Sequence, residues 1–127
     1  MQIIIIGTGA LGMLFGTYAH LCQFKVHYIT RRMEQARQIR EKGLCVKLYS
    51  GQTVHYYPQV TAVKEMTGRV DADLGIVTVK QPALGQVLPW IVNHVSQQCD
   101  LIFLMNGLGH QELVENFLQR DKIMYGV

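Results

Sequence analysis

Hydrophobic and polar residues follow two different periods along this chain, and the periods predict strands and helices in turn. Residues 3–6 are four consecutive isoleucines, a run typical of a strand that is buried on both faces. Residues 10–22 then follow a helical period, with Thr17 and His20 outside the apolar stripe. The predicted inward stripe consists of Leu11, Leu14, Phe15, Tyr18, Leu21 and Cys22.

The next segment continues the alternation of strand and helix. Residues 25–29 read as a second strand, and residues 31–42 as a charged helix that Gly43 ends. Residues 44–49 and 53–57 alternate apolar and polar positions around a Ser-Gly-Gln turn, which predicts a β-hairpin at the edge of the sheet. Residues 60–69 show no clear period and predict a short connection with at most one weak helix. The inward stripe of the charged helix is Met33, Ala36 and Ile39.

The second half of the chain repeats the pattern. Residues 74–79 and 101–105 are apolar runs typical of buried strands, and residues 122–127 begin one more. Pro82 suits the first turn of the intervening helix, whereas Pro89 predicts a kink or a fresh helix start. A last helix is predicted to open at residues 106–109. The inward residues of these two helices are Leu84, Val87, Leu88, Ile91 and Val95, then Leu113, Val114, Phe117 and Leu118.

Alternating strands and helices predict an α/β protein. Right-handed crossovers would give a Rossmann-type, doubly wound and mostly parallel sheet, in three α/β/α layers with the hairpin at one edge. We expect residues 1–127 to form one domain. Ligands of such sheets bind beyond the carboxyl ends of the strands. The turns expected at that edge follow Ile6, Ile29, Val79 and Met105.

Composition narrows the class of protein. A hydrophobic content of 49% with 17% charged residues excludes a disordered chain. No Lys or Arg precedes the apolar start, and residues 7–9 interrupt it, so we expect a cytoplasmic protein rather than a signal peptide or membrane span. A net charge of +3 gives no case for nucleic acid. Spacing of the histidines and cysteines predicts no metal site, and we expect reduced thiols in the core. The cysteines are Cys22, Cys45 and Cys99.

A glycine motif directly follows the first predicted strand. Gly7, Gly9 and Gly12 have the spacing G-x-G-x-x-G between a strand and a helix. The first glycine allows a tight turn, the second lets the backbone approach a pyrophosphate, and the third lets the helix pack on the strand. We predict a dinucleotide site here, with an ordinary glycine-rich turn as the alternative. The predicted binding residues are Gly7, Thr8, Gly9, Ala10, Leu11 and Gly12.

The end of the second predicted strand indicates which dinucleotide binds. NAD-binding proteins place an acidic residue there, about 20 residues beyond the glycines, to hold the ribose hydroxyls. Here Arg31 and Arg32 occupy the place, and no carboxylate occurs before Glu34. A guanidinium pairs with a 2′-phosphate that a carboxylate would repel. The sequence therefore predicts NADP(H), with solvated arginines opening a surface helix as the alternative.

The chain resembles the ketopantoate reductase (2-dehydropantoate 2-reductase) family. The likeness is carried by the glycine motif, by Thr30-Arg31-Arg32, by Val77-Thr78-Val79-Lys80 and by Asn106-Gly107-Leu108-Gly109. The resemblance implies that Arg31 binds the 2′-phosphate, that Lys80 and Asn106 contact the cofactor, and that Asn106 also reaches the substrate. On the residues alone, Lys80 fits a surface lysine and Asn106 a turn residue equally well.

Members of this family reduce ketopantoate to pantoate with NADPH, in pantothenate synthesis. They carry a second, helical domain that supplies the general acid, and this chain stops before it. The resemblance therefore implies an NADP(H)-binding domain that binds cofactor without turnover, and self-association through uncovered apolar surface is expected. Two alternatives stay open: a stand-alone NADP(H)-sensing module, and the cofactor domain of a related 2-oxo or 3-hydroxy acid dehydrogenase.

Overall fold

The computed structural model describes residues 1–104 and 110–126, in which strands and helices alternate as predicted. The elements are β1 (Gln2–Ile6), α1 (Ala10–Leu21), β2 (Lys25–Thr30), α2 (Met33–Lys42), β3 (Leu44–Lys47), β4 (Thr53–Tyr56), β5 (Gln59–Ala62), β6 (Leu74–Val77), α3 (Gln81–His94), β7 (Asp100–Leu104), α4 (His110–Phe117) and β8 (Ile123–Gly126). Short 3₁₀ turns lie at Val63–Glu65 and Arg120–Lys122.

Within the described residues, six parallel strands form one sheet in the order β5-β2-β1-β6-β7-β8. The chain builds outward from β1 to β2 and β5, then crosses to the other side of β1 and continues with β6. The strand order therefore reverses between β1 and β6, which is where doubly wound sheets bind their ligands. The predicted Rossmann-type fold is confirmed.

Helices cover both faces of the sheet, as the isoleucine run predicted. Ile4 and Ile6 pack in one core cluster with Leu84 and Leu88 of α3. On the opposite face, the other isoleucines of β1 pack with α2 and with the small two-stranded sheet formed by β3 and β4. Side chains of β1 therefore alternate between two cores, and Ile4 and Ile5 are completely buried. The three-layer α/β/α arrangement is confirmed.

Helix α1 turns a different face to the sheet from the one its hydrophobic residues predicted. Its buried residues are small, whereas the predicted stripe is largely solvent-exposed, between 40% and 44% for its four largest exposed members. A Cβ on Gly16 would overlap the hydroxyl of Tyr28, because α1 lies so close to β2 that larger side chains do not fit. The buried residues are Gly12, Gly16, Thr17 and Ala19, and the exposed ones are Leu11, Phe15, Tyr18 and Leu21. Cys22 is exposed as well.

The hairpin forms, but its predicted place at the edge of the sheet was wrong. Strands β3 and β4 pair antiparallel as a separate sheet that packs on the layer of α1 and α2. Tyr56 of β4 connects this small sheet to α1 and β2, because its hydroxyl lies 2.9 Å from the Tyr28 hydroxyl and 3.1 Å from the Thr17 hydroxyl. The edge position belongs to Gln59–Ala62, a strand that pairs with β2 where we expected a connection.

Some smaller expectations also failed. Helix α3 continues through the exposed Pro89, so the alternative of a fresh helix start is wrong, and the alternative of a kink stays a prediction. The predicted inward residues Met33, Leu113 and Phe117 are exposed, as is Cys45, while Cys99 alone of the cysteines is in the core. No helix in the described part of the chain is both long and apolar enough to span a membrane.

Candidate functional site

The glycine loop leaves the centre of the sheet at the point where the strand order reverses. Gly7 has φ +104°, a conformation that residues with a side chain rarely adopt, and its N–H donates to the carbonyl of Ile29 at 3.2 Å. Gly12, in the first turn of α1, is buried against the loop, where a Cβ would lie 2.5 Å from the Gly7 carbonyl oxygen. The first and third glycines therefore have steric reasons internal to the fold.

The second glycine has no such steric reason within the described residues. Gly9 is the N-cap of α1 with φ −69° and ψ 178°, an extended conformation that any residue adopts. No heavy atom of the described residues lies within 4 Å of the position its Cβ would take. Among those residues no side chain caps this helix, and its first turn carries no acidic residue. Within the described residues the amides at the start of α1 therefore have no side-chain acceptor, and amides of this kind favour an anion beside Gly9.

The two arginines lie beside this loop. They come between the end of β2 and the start of α2, and Arg32 is the N-cap of α2. An open groove runs from the glycine loop to this turn, and both arginines are exposed in it. Predicted residues from two distant segments are thereby brought together. The groove is lined by Thr8, Gly9, Arg31, Arg32, Glu34, Gln35 and Gln38.

A second, more apolar pocket lies on the other side of Arg31. It is lined by the ends of β1 and β2, the segment after β6 and one face of α3, and Trp90 at its wall donates its Nε1–H to the Val63 carbonyl at 3.2 Å. A flat apolar ring fits such a site, because most of the lining is aliphatic or aromatic. The lining includes Ile6, Ile29, Arg31, Val63, Val79, Ala83, Val87 and Trp90.

Sequence reasoning did not find this pocket. Its residues come from four separated segments, and no local pattern connects Val63 with Trp90. Of its lining residues, Gly7 and Arg31 had been predicted to bind the cofactor, Gly7 from the glycine motif and Arg31 from its position after the second strand. Because Arg31 borders both the polar groove and the apolar pocket, it is the point at which the two halves of the site meet.

The remaining predicted site residues are placed unevenly. Lys80 is exposed at the N-cap of α3, directly after Val79 of the apolar pocket. Ala10 lies next to Gly9 on a separate groove toward the hairpin, and Leu11 is exposed on the outer face of α1. Asn106 lies outside the described residues. No cluster of metal-ligating side chains occurs in residues 1–104 and 110–126.

Comparison with known proteins agrees with this geometry. The family model described as "Ketopantoate reductase PanE/ApbA" matches residues 3–127. The 2-dehydropantoate 2-reductase of Lactococcus lactis is 29% identical over 126 residues, which cover 99% of this chain and 40% of that protein. The chain therefore spans about two fifths of the length of the curated relatives it matches.

Solved structures give the same fold. The ternary structure of D-mandelate dehydrogenase with NADH and anilino(oxo)acetate superposes with a TM-score of 0.90 at 29% identity, covering 99% of this chain and 40% of that one. The 2-dehydropantoate 2-reductase of Geobacter metallireducens superposes with a TM-score of 0.83 at 27% identity, covering the whole of this chain and 41% of that one. Both neighbours are oxidoreductases by their printed names, and the first holds a nicotinamide cofactor.

Proposed function

Since the chain belongs to the ketopantoate reductase family, we propose that it binds NADPH as the hydride donor for the reduction of ketopantoate to pantoate. One observation carries the choice of cofactor. Arg31 stands where an NAD-binding protein has its acidic residue, and it borders both the groove at the glycine loop and the apolar pocket. A guanidinium at that junction can pair with a 2′-phosphate on the ribose between adenine and pyrophosphate.

Three parts of the cofactor have a matching surface. The amides at the start of α1 donate to the pyrophosphate beside Gly9, where no Cβ intervenes. The pocket closed by Trp90 takes the adenine ring, and the groove with Arg31 and Arg32 takes the 2′-phosphate. When bound, NADPH supplies the hydride for the 2-oxo carbon of the substrate.

Removal of the Arg31 guanidinium tests the proposal. We expect Arg31→Ala to weaken NADPH binding by about 1.5–3 kcal/mol, the range for hydrogen bonds to charged groups, and to leave NADH binding nearly unchanged. Isothermal titration calorimetry measures both dissociation constants. Arg37→Ala is the matched control, because it removes the same charge from the neighbouring helix surface, away from the residues that line the groove. Equal losses for NADPH and NADH would contradict the assignment.

An NADH-dependent 2-oxo acid dehydrogenase is the second candidate. The D-mandelate dehydrogenase whose structure superposes so well holds NADH, and it differs from the ketopantoate reductases in substrate. Glu34 also lines the groove, although it lies beyond both arginines along the chain. Tighter binding of NADH than of NADPH by the unaltered protein would favour this candidate over the first.

We further propose that this 127-residue chain binds the cofactor without reducing ketopantoate by itself. The described residues at the sheet edge offer arginines, amides and Lys80, but we assign none of them the family's role of general acid. NADPH oxidation is followed at 340 nm with ketopantoate in excess. Sustained oxidation by the purified chain would refute this part, whereas cofactor binding without turnover is also what a sensing module would show.

A further inference from the structure

Two threonine hydroxyls stand behind the binding loops. Thr30 is the last residue of β2, and its completely buried side chain donates to the carbonyl of Arg32 at 2.9 Å. That carbonyl also accepts the N–H of Ala36 at 3.3 Å, which starts α2. The hydroxyl of Thr30 therefore joins the strand to the turn that carries Arg31 and Arg32.

Thr78 occupies the corresponding place beside the glycine loop. It follows β6, the neighbour of β1, and its backbone N–H continues the sheet by donating to Ile6 at 2.9 Å. Its hydroxyl donates to the carbonyl of Gly7 at 3.2 Å. The same oxygen lies 2.8 Å from the position of a Cβ on Gly12, so Thr78 fills the space between the first and third glycines.

Each hydroxyl fixes the direction of one peptide plane. In a trans peptide the carbonyl and the following N–H point in opposite directions. A Gly7 carbonyl held against Thr78 therefore turns the N–H of Thr8 away from β6. An Arg32 carbonyl held against Thr30 likewise orients the first amide of α2. The Arg32 carbonyl also accepts the longer backbone bond from Ala36 at 3.3 Å, and the hydroxyl of Thr30 adds a second, shorter bond to the same oxygen.

We propose that these threonines are positioning residues with separate tasks: Thr78 holds the glycine loop for the pyrophosphate, and Thr30 holds the arginine turn for the 2′-phosphate. The inference rests on the proposed NADP(H) binding. It goes beyond that proposal by assigning each phosphate group to one threonine hydroxyl, although neither hydroxyl contacts a phosphate. Neither residue lines the groove itself, so each acts through the backbone.

The test compares Thr78→Val and Thr30→Val with Thr78→Ser and Thr30→Ser. Valine keeps the volume and the preference for extended backbone but loses the hydroxyl, whereas serine keeps the hydroxyl. Three ligands separate the tasks: NADPH carries both phosphate groups, ADP-ribose lacks the 2′-phosphate, and 2′-AMP lacks the pyrophosphate. Calorimetry measures NADPH binding, and NMR titration measures the weaker ligands.

We expect opposite selectivities. Thr78→Val raises the dissociation constants of NADPH and ADP-ribose about 3- to 10-fold, the worth of one neutral hydrogen bond, and leaves 2′-AMP within 2-fold. Thr30→Val raises those of NADPH and 2′-AMP by the same factor and leaves ADP-ribose within 2-fold. Both serine variants stay within 2-fold of the unaltered protein for all three ligands.

Several results would overturn the inference. Equal losses for all three ligands would indicate a general structural role, and unchanged binding in the valine variants would show that the hydroxyls are dispensable. Thermal unfolding checks that each variant folds, and Thr→Ala, which also removes the hydroxyl, replaces a valine variant that does not. Failure of the unaltered protein to bind NADPH would refute the proposed function itself. Binding by that protein with no ligand selectivity in the variants would refute this inference alone.

Discussion

A substitution in the glycine loop should weaken cofactor binding while leaving the stability of the fold almost unchanged. Gly9→Ala adds a Cβ that meets no described atom within 4 Å, at a residue whose φ of −69° alanine adopts without strain. Alanine is a poorer N-cap than glycine by roughly 0.5–1 kcal/mol. It also restricts the unfolded chain, which returns about 0.4–1 kcal/mol. The free energy of unfolding should therefore change by no more than about 0.5 kcal/mol.

Binding should suffer much more from the same change. The added Cβ occupies the space into which the pyrophosphate must come to reach the amides of α1. Forcing one extra carbon into a packed contact costs about 1–3 kcal/mol. At 1.36 kcal/mol for each factor of ten, the dissociation constant rises about 5- to 150-fold. Because NADPH and NADH share the pyrophosphate, both should weaken equally, unlike the selective loss expected for Arg31→Ala.

Gly12→Ala is the matched control for the fold. Its Cβ would lie 2.5 Å from the Gly7 carbonyl oxygen and 2.8 Å from the Thr78 hydroxyl, and the first of these contacts cannot be relieved without moving backbone. Overpacking of that kind lowers the free energy of unfolding by about 1–3 kcal/mol. Urea denaturation gives the stabilities, and calorimetry gives the dissociation constants. A folded Gly9→Ala protein that binds NADPH like the unaltered one would refute the pyrophosphate assignment of this loop.

Three further predictions concern the fold. Burial raises the pKa of the Cys99 thiol to about 12, so iodoacetamide at pH 8 should modify Cys22 and spare Cys99, as mass spectrometry would show. Tyr56→Phe removes two buried hydroxyl contacts and should lower the free energy of unfolding by about 1 kcal/mol in urea; an unchanged midpoint would contradict this. The Arg40 guanidinium pairs with Glu65 and lowers the pKa of that carboxyl from its ordinary value. The stability difference between the unaltered protein and Glu65→Gln should therefore hold at pH 7 and vanish as acid protonates Glu65.

The sequence predicted the strands of the sheet well because their signals are local. The isoleucine run from Ile3 to Ile6 predicts a central strand, and Gly7 directly after it predicts where that strand ends. The structure places this end at the reversal of strand order. Residues Gln59–Ala62 were missed because residues 60–69 show no clear period in the sequence. Their strand forms only because β2 offers an unpaired edge, and that edge is made by a segment about 30 residues earlier.

The candidate site likewise has parts that the sequence predicted and parts that it did not. Arg31 was found from its position after the second strand, without knowledge of any contact. The apolar pocket proposed for adenine was missed because it needs Val63, Val79 and Trp90 at once, and those residues share no spacing. Thr30 and Thr78 were visible in the sequence only as members of a family motif. Their hydrogen bonds to Arg32 and Gly7 depend on loop conformations that no periodicity encodes.

The misread face of α1 is connected to the site itself. In the proposed binding mode the start of α1 reaches a pyrophosphate over the end of β1, so the helix has to lie close to the sheet, and only small side chains permit this. Gly12 and Gly16 supply the close approach, and the Tyr28 hydroxyl fills the space above Gly16. Large residues such as Leu11 and Phe15 are then displaced to the outer face. Hydrophobicity alone places those large residues in the core, whereas the close approach of helix and sheet places the glycines there, and this approach determines which face of α1 is buried.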